Sequence, residues 1–380
     1  MPRSRLRRTI AMAVALAAIV GGAWQRSRAL ERLPPDYDEL VYLPSAYREA
    51  QRFEEKGLAA LLSMVDELGH PPLVKVIYAV SLDAAHAPEP EWLGVRAREP
   101  LPAAARPAFD AARRVSAAAG ALQLGLLATL SPLGALLLAF DPYHTKYSAL
   151  AMLEGIPGLF ALLAAVLFER ALHSAGRRRV ALALLSAAAL GAAAAGKYPY
   201  GIVLGLTLGP YAAVVFRERK RVLVAWAITL LATFFALAPS FWLDPLRGIL
   251  DAVGFHVDFS QSQHVAQSGF PWWAPLYFLT HPEPVISFPG AFLTGALSYL
   301  ILPFAVLGLA RTWRTHRVFA VWAVVGLVFL LVWSTKWPHY LLLVLPALAV
   351  CAAEAPAVLL SAARRLHRAF RQGDRSPAHP

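Results

Sequence analysis

The feature that most constrains this chain is a series of long apolar blocks separated by short clusters of arginine. The clearest blocks are residues 180–195, 222–239, 288–310, 318–333 and 340–360. About 20 apolar residues are needed to cross the roughly 30 Å hydrocarbon core of a bilayer. Because 58% of the 380 residues are hydrophobic and only 16% are charged, a water-soluble core of this length would not bury them all. The sequence therefore predicts an all-α protein that crosses the membrane many times.

The net charge of +12 is distributed in a way that indicates topology and argues against nucleic-acid binding. Short segments rich in Lys and Arg stay in the cytoplasm. The basic segments are the N-terminus and residues 96–114, 177–179, 217–221, 311–317 and 364–371. The extracytoplasmic segments are then residues 25–70, 141–148, 197–199, 244–287 and 336–339. Their alternation predicts about ten transmembrane helices with both termini in the cytoplasm.

The boundaries follow from this alternation. The first block, residues 9–24, could be a secretory signal, but more apolar blocks follow and no small-x-small cleavage pattern precedes a soluble domain, so a retained helix is predicted. The second crossing is placed after Pro71-Pro72 and the third at residues 115–140, where Ser131-Pro132 interrupts the block. One transmembrane domain, residues 1–361, is followed by a basic cytoplasmic tail, residues 362–380.

Two predicted extracytoplasmic loops are long enough to carry function. Residues 25–70 are acidic, and from Glu39 onward the apolar residues recur at near-helical spacing, which predicts a helix lying in the membrane interface. Residues 244–287 carry His256, Asp258 and His264, which are metal-ligand types whose spacing in a loop is more typical of ordinary loop polarity. The same loop carries a Trp272-Trp273 pair, which is interpreted as an interface anchor, with a sugar-stacking platform as the alternative.

The most informative motif is the segment Asp36-Tyr37-Asp38-Glu39 just after the first helix, followed about thirty residues later by His70-Pro71-Pro72-Leu73. An acidic pair after the first helix, an interfacial helix and a His-Pro-Pro-Leu segment resemble the GT-C membrane glycosyltransferases. The resemblance is strongest to glycosyltransferase family 39, with the protein O-mannosyltransferases and the aminoarabinose-transferase-like branch.

Further segments resemble the same family in the same order. Lys146 with Glu154 is similar to its basic and acidic residues before the fourth helix, and Lys197-Tyr198 is similar to its small-residue helix that ends in Lys. The segment from Lys336 through His339 to Tyr340 is similar to its late Lys-x-Pro-x-Tyr turn. No one of these motifs is specific; their order and their common side of the membrane carry the resemblance.

The resemblance implies transfer of a sugar from a polyprenyl-phosphate donor to an extracytoplasmic acceptor, with inversion at the anomeric carbon. Such a reaction needs a carboxylate that accepts the proton of the acceptor hydroxyl and cations that stabilise the departing phosphate. By resemblance Asp38 is the general base and Glu39 a supporting neighbour, and the two could hold a divalent cation. The expected substrate-binding residues are His70, Lys146, Glu154, Lys197, Tyr198, Lys336, His339 and Tyr340.

Each of these residues also has a simpler explanation. Asp38-Glu39 could be a solvated turn that caps the interfacial helix, and Lys197 and Lys336 could be interfacial side chains that extend to water. His70-Pro71 could simply mark the start of a helix, with no role in binding.

Two other functions remain open at this point: a transporter or flippase of a lipid-linked or glycan substrate, and a non-catalytic subunit of an envelope complex. The transferase hypothesis places the chain in a bacterial inner membrane, with its site facing the periplasm or exterior. The acceptor is left open as a protein, a lipid or a glycan.

Overall fold

The computed structural model describes residues 3–66, 69–281 and 291–373, and within these ranges it is helical throughout, without a strand. The first eight α-helices are α1 (Arg3–Arg32), α2 (Glu39–Lys56), α3 (Leu73–Ala84), α4 (Arg106–Ala128), α5 (Pro132–Ala139), α6 (Pro142–Ala149), α7 (Gly155–Leu172) and α8 (Gly176–Gly196). The others are α9 (Tyr198–Val215), α10 (Lys220–Leu237), α11 (Pro245–Ser260), α12 (Gln263–Ser268), α13 (Ala274–Thr280), α14 (Ala291–Thr315), α15 (Arg317–Val332) and α16 (Leu345–Gly373).

Polar contacts between distant loops define two ends of the helical bundle. At one end, called here the site end, Glu39 contacts both Arg113 at the start of α4 and the backbone of Ala151 between α6 and α7. At the opposite end, the far end, Arg170 of α7 donates to Thr129 after α4 at 2.8 Å. Within the described ranges, ten segments run alternately between these two ends, with α5 and α6 together forming one of them. The other nine are α1, α4, α7, α8, α9, α10, α14, α15 and α16.

The protein is an integral membrane protein with a polytopic helical fold. Six helices among the described residues are long and apolar enough to span a membrane. These are residues 8–32, 155–172, 176–196, 198–215, 220–237 and 345–369. The full count of about ten crossings stays a prediction. The number of segments that alternate between the two ends agrees with it.

The predicted second crossing is wrong. Helix α3, which follows Pro71-Pro72, has 12 residues and is only about 18 Å long at 1.5 Å per residue. The arginine segment after it returns to the site end, where the backbone N–H of Arg98 donates to the carbonyl oxygen of Pro35 at 2.8 Å. Residues 96–114 and the acidic loop therefore lie at the same end, and cannot be on opposite sides of the membrane as predicted.

The third crossing is corrected for the same reason. Helix α4 runs from the site end to the far end, and α5 turns back. The turn is the predicted interruption at Ser131-Pro132, where the Ser131 hydroxyl accepts a hydrogen bond from the N–H of Gly134 and Pro132 occupies the first helical position. The block at residues 115–140 is thus divided between two antiparallel helices, α4 and α5.

The helix predicted from Glu39 onward is confirmed as α2, continued by a 3-10 segment over Gly57–Asp66. Leu43 and Ala46 of α2 are fully buried with Val74 and Tyr78 of α3, so the two short helices form one layer at the site end. Parts of the predicted second loop, residues 282–287, and of the predicted tail, residues 374–380, lie outside the described residues.

Candidate active site

Glu39, the first residue of α2, is completely buried and fully hydrogen-bonded. Its two carboxylate oxygens accept from the Arg113 guanidinium at 2.8 and 2.6 Å, from the N–H of Ala151 at 2.8 Å and from the N–H of Asp36 at 3.0 Å. A bidentate pair of this kind is strong and geometrically specific. Glu39 therefore fixes the acidic loop to α4 and to the α6–α7 connection, and both of its oxygens are already occupied.

Asp38 differs from its neighbour. It precedes α2 but makes no side-chain capping bond, so the interpretation as a helix cap is not borne out. Its side chain is 24% exposed, and its Oδ2 lies 3.6 Å from Nδ1 of His339. Burial, together with the nearby negative charge of Glu154, raises the pKa of Asp38 to about 7. This carboxyl group can therefore accept a proton near neutral pH.

Behind Asp38 lies a buried group made by the connections between three pairs of helices. His339 Nε2 is 3.6 Å from Oε1 of Glu154, which also accepts a hydrogen bond from Lys197. The Lys197 ammonium lies 4.8 Å from the ring centroid of Tyr340, a cation–π distance. The other oxygen of Glu154 is buried with no hydrogen-bond partner among the described residues. A buried carboxylate oxygen without a partner is costly, so this oxygen is free to bind a water molecule or a ligand.

Lys146, at the end of α6, forms the exposed edge of this group. Its ammonium is 3.4 Å from Oδ2 of Asp36 and 3.4 Å from the hydroxyl of Tyr147, and its side chain is partly open to solvent. The Tyr147 ring packs edge-on against His339 at 5.7 Å. Lys146 is thus a cation beside the Asp38–His339 contact that a ligand can reach.

His70 and Tyr198 lie in an adjoining aromatic layer. The His70 ring is 5.7 Å from Tyr42 and 6.2 Å from His256, and His256 is 5.7 Å from Tyr198. Burial and the positive charge of Lys197 lower the pKa of His70 to about 3. His70 is therefore neutral near pH 7 and can act as a hydrogen-bond donor but not as a cation.

Lys336 does not join the group, contrary to its predicted role. Its ammonium donates to the carbonyl oxygens of Leu330 at 2.8 Å and Leu331 at 2.9 Å, and also to that of Trp333. Lys336 thereby satisfies the C-terminal carbonyls of α15, where a positive charge is favourable. Lys197, by contrast, is buried against Glu154, so interpreting it as an interfacial side chain that extends to water is wrong.

Sequence reasoning missed Arg113 and gave Asp36 and Tyr147 no separate role. Arg113 stands beside Arg114 in the basic segment before an alanine-rich stretch, so no signal in the sequence distinguished its buried side chain from its exposed neighbour. Among the described residues no group of three or more His, Cys, Asp or Glu side chains is arranged to hold a metal ion. A cation shared by Asp38 and Glu39 would have to displace Arg113 from Glu39, so the residues present do not form such a site.

The arrangement combines one carboxyl group of near-neutral pKa with buried and exposed cations at its side. Each cation already has a carboxylate partner: Arg113 has Glu39, Lys197 has Glu154 and Lys146 has Asp36. Asp38 is the remaining acidic group, and it contacts a histidine, His339, whose pKa is lowered by burial and which is neutral near pH 7. Proton acceptance at Asp38 is therefore the chemistry that the site supports best.

No family model matches the sequence, and no curated protein matches it. Solved structures do match its fold. ArnT from Cupriavidus metallidurans bound to undecaprenyl phosphate aligns with a TM-score of 0.59 and 18% identity over 91% of this chain and 59% of its own. The archaeal oligosaccharyltransferase AglB from Archaeoglobus fulgidus, in complex with an inhibitory peptide and a dolichol-phosphate, aligns with a TM-score of 0.50 and 13% identity. That alignment covers 98% of this chain and 53% of AglB.

The chain therefore spans somewhat more than half the length of these structural neighbours. The apo form of ArnT gives the same result, with a TM-score of 0.54. The two neighbours agree in a helical membrane architecture over nearly all of this chain, and at these identities they report on fold alone. This protein has the fold that was predicted from its sequence, the GT-C fold.

Proposed function

We propose that this protein is a membrane glycosyltransferase that moves a sugar from a polyprenyl-phosphate donor to the hydroxyl group of an acceptor, with inversion. The observation that carries the proposal is Asp38, a partly exposed carboxyl group with a pKa of about 7 beside His339 and the buried Lys197–Glu154 pair. A general base is most effective when its pKa is near the working pH.

The proposed reaction is a single displacement. The acceptor oxygen attacks the anomeric carbon, the bond from that carbon to the phosphate oxygen breaks, and the acceptor proton moves to Asp38. The products are the glycosylated acceptor and the free polyprenyl phosphate. Nδ1 of His339 lies 3.6 Å from Oδ2 of Asp38, and His339 would hold the carboxylate toward the acceptor.

The departing phosphate needs positive charge. Lys197 and Lys146 are the proposed donors of this charge, since both lie within the group around Asp38, one buried and one at its exposed edge. His70 and Tyr198, in the adjoining aromatic layer, are proposed to contact the sugar or the phosphate as neutral hydrogen-bond donors. The ArnT and AglB structures each contain a polyprenyl phosphate, which supports a lipid-linked donor here.

The alternative of a transporter or flippase is less well supported. A translocation path would place ionisable residues near the middle of several spanning helices. Here Asp38, Glu154, Lys197 and His339 lie in connections between helices at one end of the bundle. The role of an assembly subunit gives no reason for a carboxyl group with a raised pKa beside a buried ion pair.

We further propose that the site end faces the periplasm or cell exterior of a bacterial inner membrane. Substituted-cysteine labelling tests this orientation. An impermeant thiol reagent is added to intact cells or spheroplasts. We expect it to label Ser262→Cys and Arg96→Cys, which are both at the site end, but not Ser174→Cys at the far end. The buried Cys351 provides the unlabelled background. Labelling of Ser174→Cys alone would reverse the orientation.

The function itself is tested by mass spectrometry of lipids and glycans from a strain without this chain. We expect one polyprenyl-phosphate sugar to accumulate and one acceptor to lose that sugar, which would identify both substrates. The wild-type chain should restore the transfer and the Asp38→Asn chain should not, although both are present in the membrane. Full restoration by Asp38→Asn would refute the proposal.

A further inference from the structure

A cavity lies at the site end, on the other side of Arg113 from Asp38. Its volume is about 280 Å³, and it is lined by the end of α1, the loop before α4 and the start of α4. This approaches the roughly 300–1,000 Å³ typical of small-molecule sites. The Glu39–Arg113 ion pair separates the cavity from the group around Asp38, because Arg113 lines the cavity while its guanidinium faces Glu39.

The charge of this cavity is strongly one-sided. Its lining includes Arg32, Arg98, Arg106 and Arg113, with Glu31 as its acidic residue. Arg113 is neutralised by Glu39, and Glu31 is 3.4 Å from Arg28 outside the cavity. Among the described residues Arg32, Arg98 and Arg106 have no acidic partner. All three residues are exposed, and three positive charges around one cavity attract anions to it.

The backbone holds one of these arginines in an unusual conformation. Arg98 has a φ of 66°, in the left-handed region that non-glycine residues rarely adopt, and its N–H donates to Pro35 at 2.8 Å. Strained backbone of this kind persists where the surrounding structure imposes it, and it is concentrated at functional sites. The bond to Pro35 also anchors the arginine loop to the segment that ends in Asp38.

The remaining lining suits a ligand with an apolar or carbon-rich body. Leu30, Leu33 and Leu101 line the cavity together with Pro34 and Pro100. Helix α1 ends at Arg32 and is one of the helices long and apolar enough to span the membrane, so the cavity opens where this helix would leave the bilayer. Arginine forks match the oxygen geometry of both phosphate and carboxylate. Several positive charges around one cavity favour the phosphate monoester, which carries about −1.5 to −2 at pH 7, over the single charge of a carboxylate.

We propose that this cavity binds a phosphate monoester group, presented either by a lipid headgroup or by a soluble phosphorylated compound. The inference does not depend on the transferase function, since none of the residues around Asp38 lines the cavity apart from the shared wall at Arg113. It assigns Arg98 and Arg106 as the principal ligands, with Arg32 as a further cation.

The test uses the full chain in detergent and phosphatidic acid as the probe, with binding followed by native mass spectrometry. The variant is the double substitution Arg98→Asn and Arg106→Gln. Asn tolerates the left-handed conformation at residue 98, and Gln keeps the length of the side chain at residue 106. We expect this variant to bind phosphatidic acid at least about tenfold more weakly, the effect of losing about 1.4 kcal/mol.

The matched control is Arg96→Gln with Arg114→Gln, which removes the same charge from the same loop and helix at exposed positions outside the cavity lining. We expect the control to bind like the wild type. Equal affinities of the two double variants would overturn the proposal. If the first variant does not fold, Arg106→Glu alone must still weaken binding, and unchanged affinity for that variant would overturn the proposal as well.

A competition arm separates the two sources of phosphate. One outcome is that glycerol 3-phosphate displaces phosphatidic acid from the wild type but leaves unchanged the weak binding that remains in the Arg98→Asn and Arg106→Gln variant. In that case the cavity recognises the phosphate group itself. If it does not compete, while binding still depends on Arg98 and Arg106, the ligand is a lipid headgroup held partly by its acyl chains. Donor turnover is measured in parallel, and its loss or retention reports on the Asp38 site independently of this binding.

Discussion

Two consecutive carboxylates, Asp38 and Glu39, occupy opposite kinds of environment in this protein. Glu39 is fully buried, faces a paired arginine and has both oxygens satisfied by four hydrogen bonds. Asp38 has no cationic partner at hydrogen-bond distance, retains some exposure, and contacts a histidine at 3.6 Å. The first residue stabilises the position of the loop and the second is left available for chemistry. Two adjacent carboxylates can thus differ in whether their oxygens are free to bind or accept a proton.

The largest expected effect separates the two residues by activity. We expect Asp38→Asn to lower turnover by about 10²–10⁴-fold, because the amide cannot accept the acceptor proton. Purified protein with its lipid donor provides the measurement. Burial raises the pKa of Asp38 to about 7, above its unfolded value of about 3.9. Ionisation of Asp38 therefore lowers the free energy of unfolding as the pH rises above about 4, and the full cost is present above pH 7. The Asn variant should therefore unfold at a temperature equal to or above that of the wild type at pH 8.

The second effect concerns stability. Glu39→Gln leaves the buried Arg113 charge without its partner, and breaking a buried ion pair in this way typically costs about 3–5 kcal/mol. We expect a large decrease in the thermal unfolding temperature in detergent. The double variant Glu39→Gln with Arg113→Met removes the orphaned charge as well and should recover part of the loss. If Glu39→Gln unfolded like the wild type, the proposed structural role of this residue would be wrong.

A third, smaller effect extends the comparison to the two lysines. We expect Lys197→Met to lower the rate with the lipid donor by about 10²-fold, the scale for one electrostatic contact in a transition state. Lys336→Met should leave that rate nearly unchanged and lower stability by about 1–2 kcal/mol, because its hydrogen bonds go to the carbonyls of α15. A reversed pattern, with activity sensitive to residue 336, would place the phosphate at the other lysine.

The sequence was sufficient to predict the helical membrane fold, the helix after Glu39 and most of the residues that gather around Asp38. The fold and the helix follow from local properties, the length of apolar blocks and helical spacing. The residues around Asp38 were predicted from the resemblance to the GT-C glycosyltransferases. It was not sufficient for the arginine segment 96–114, because counting loop charges cannot distinguish a topology signal from a counter-ion. Arg113 contacts a carboxylate 74 residues away, a pairing that only the fold determines.

The sequence did contain one signal against the wrong crossing. The segment that forms α3 has 12 residues, includes Lys75 and Asp83, and is followed by Pro88 and Pro90, so it is too short and too polar for a full span. The role of Lys336 could not be predicted, since a lysine after a helix is equally compatible with a phosphate and with the helix's own C-terminal carbonyls. Only the positions of Leu330 and Leu331 relative to its ammonium decide between them.

The smallest expected effect is on pH dependence, and it tests why Asp38 differs from Glu39. The base must be ionised to act, so kcat/KM should rise with pH through the pKa of about 7. The ionised fraction increases from roughly 0.1 at pH 6 to 0.9 at pH 8, which gives about a tenfold rise. The charges facing Asp38 set where this rise occurs: Glu154, Asp36 and Glu39 raise its pKa, and Lys197 lowers it.

Substitutions of Glu154 and of Lys197, the two partners of a buried ion pair, should therefore shift the pH profile of kcat/KM in opposite directions. Glu154→Gln removes a negative charge and should shift the rise in kcat/KM to lower pH, whereas the residual activity of Lys197→Met should rise at higher pH. A change in folding alone would alter the height of both profiles without separating their midpoints. Midpoints that stay together, or a pH rise that persists in Asp38→Asn, would mean that another group is the base.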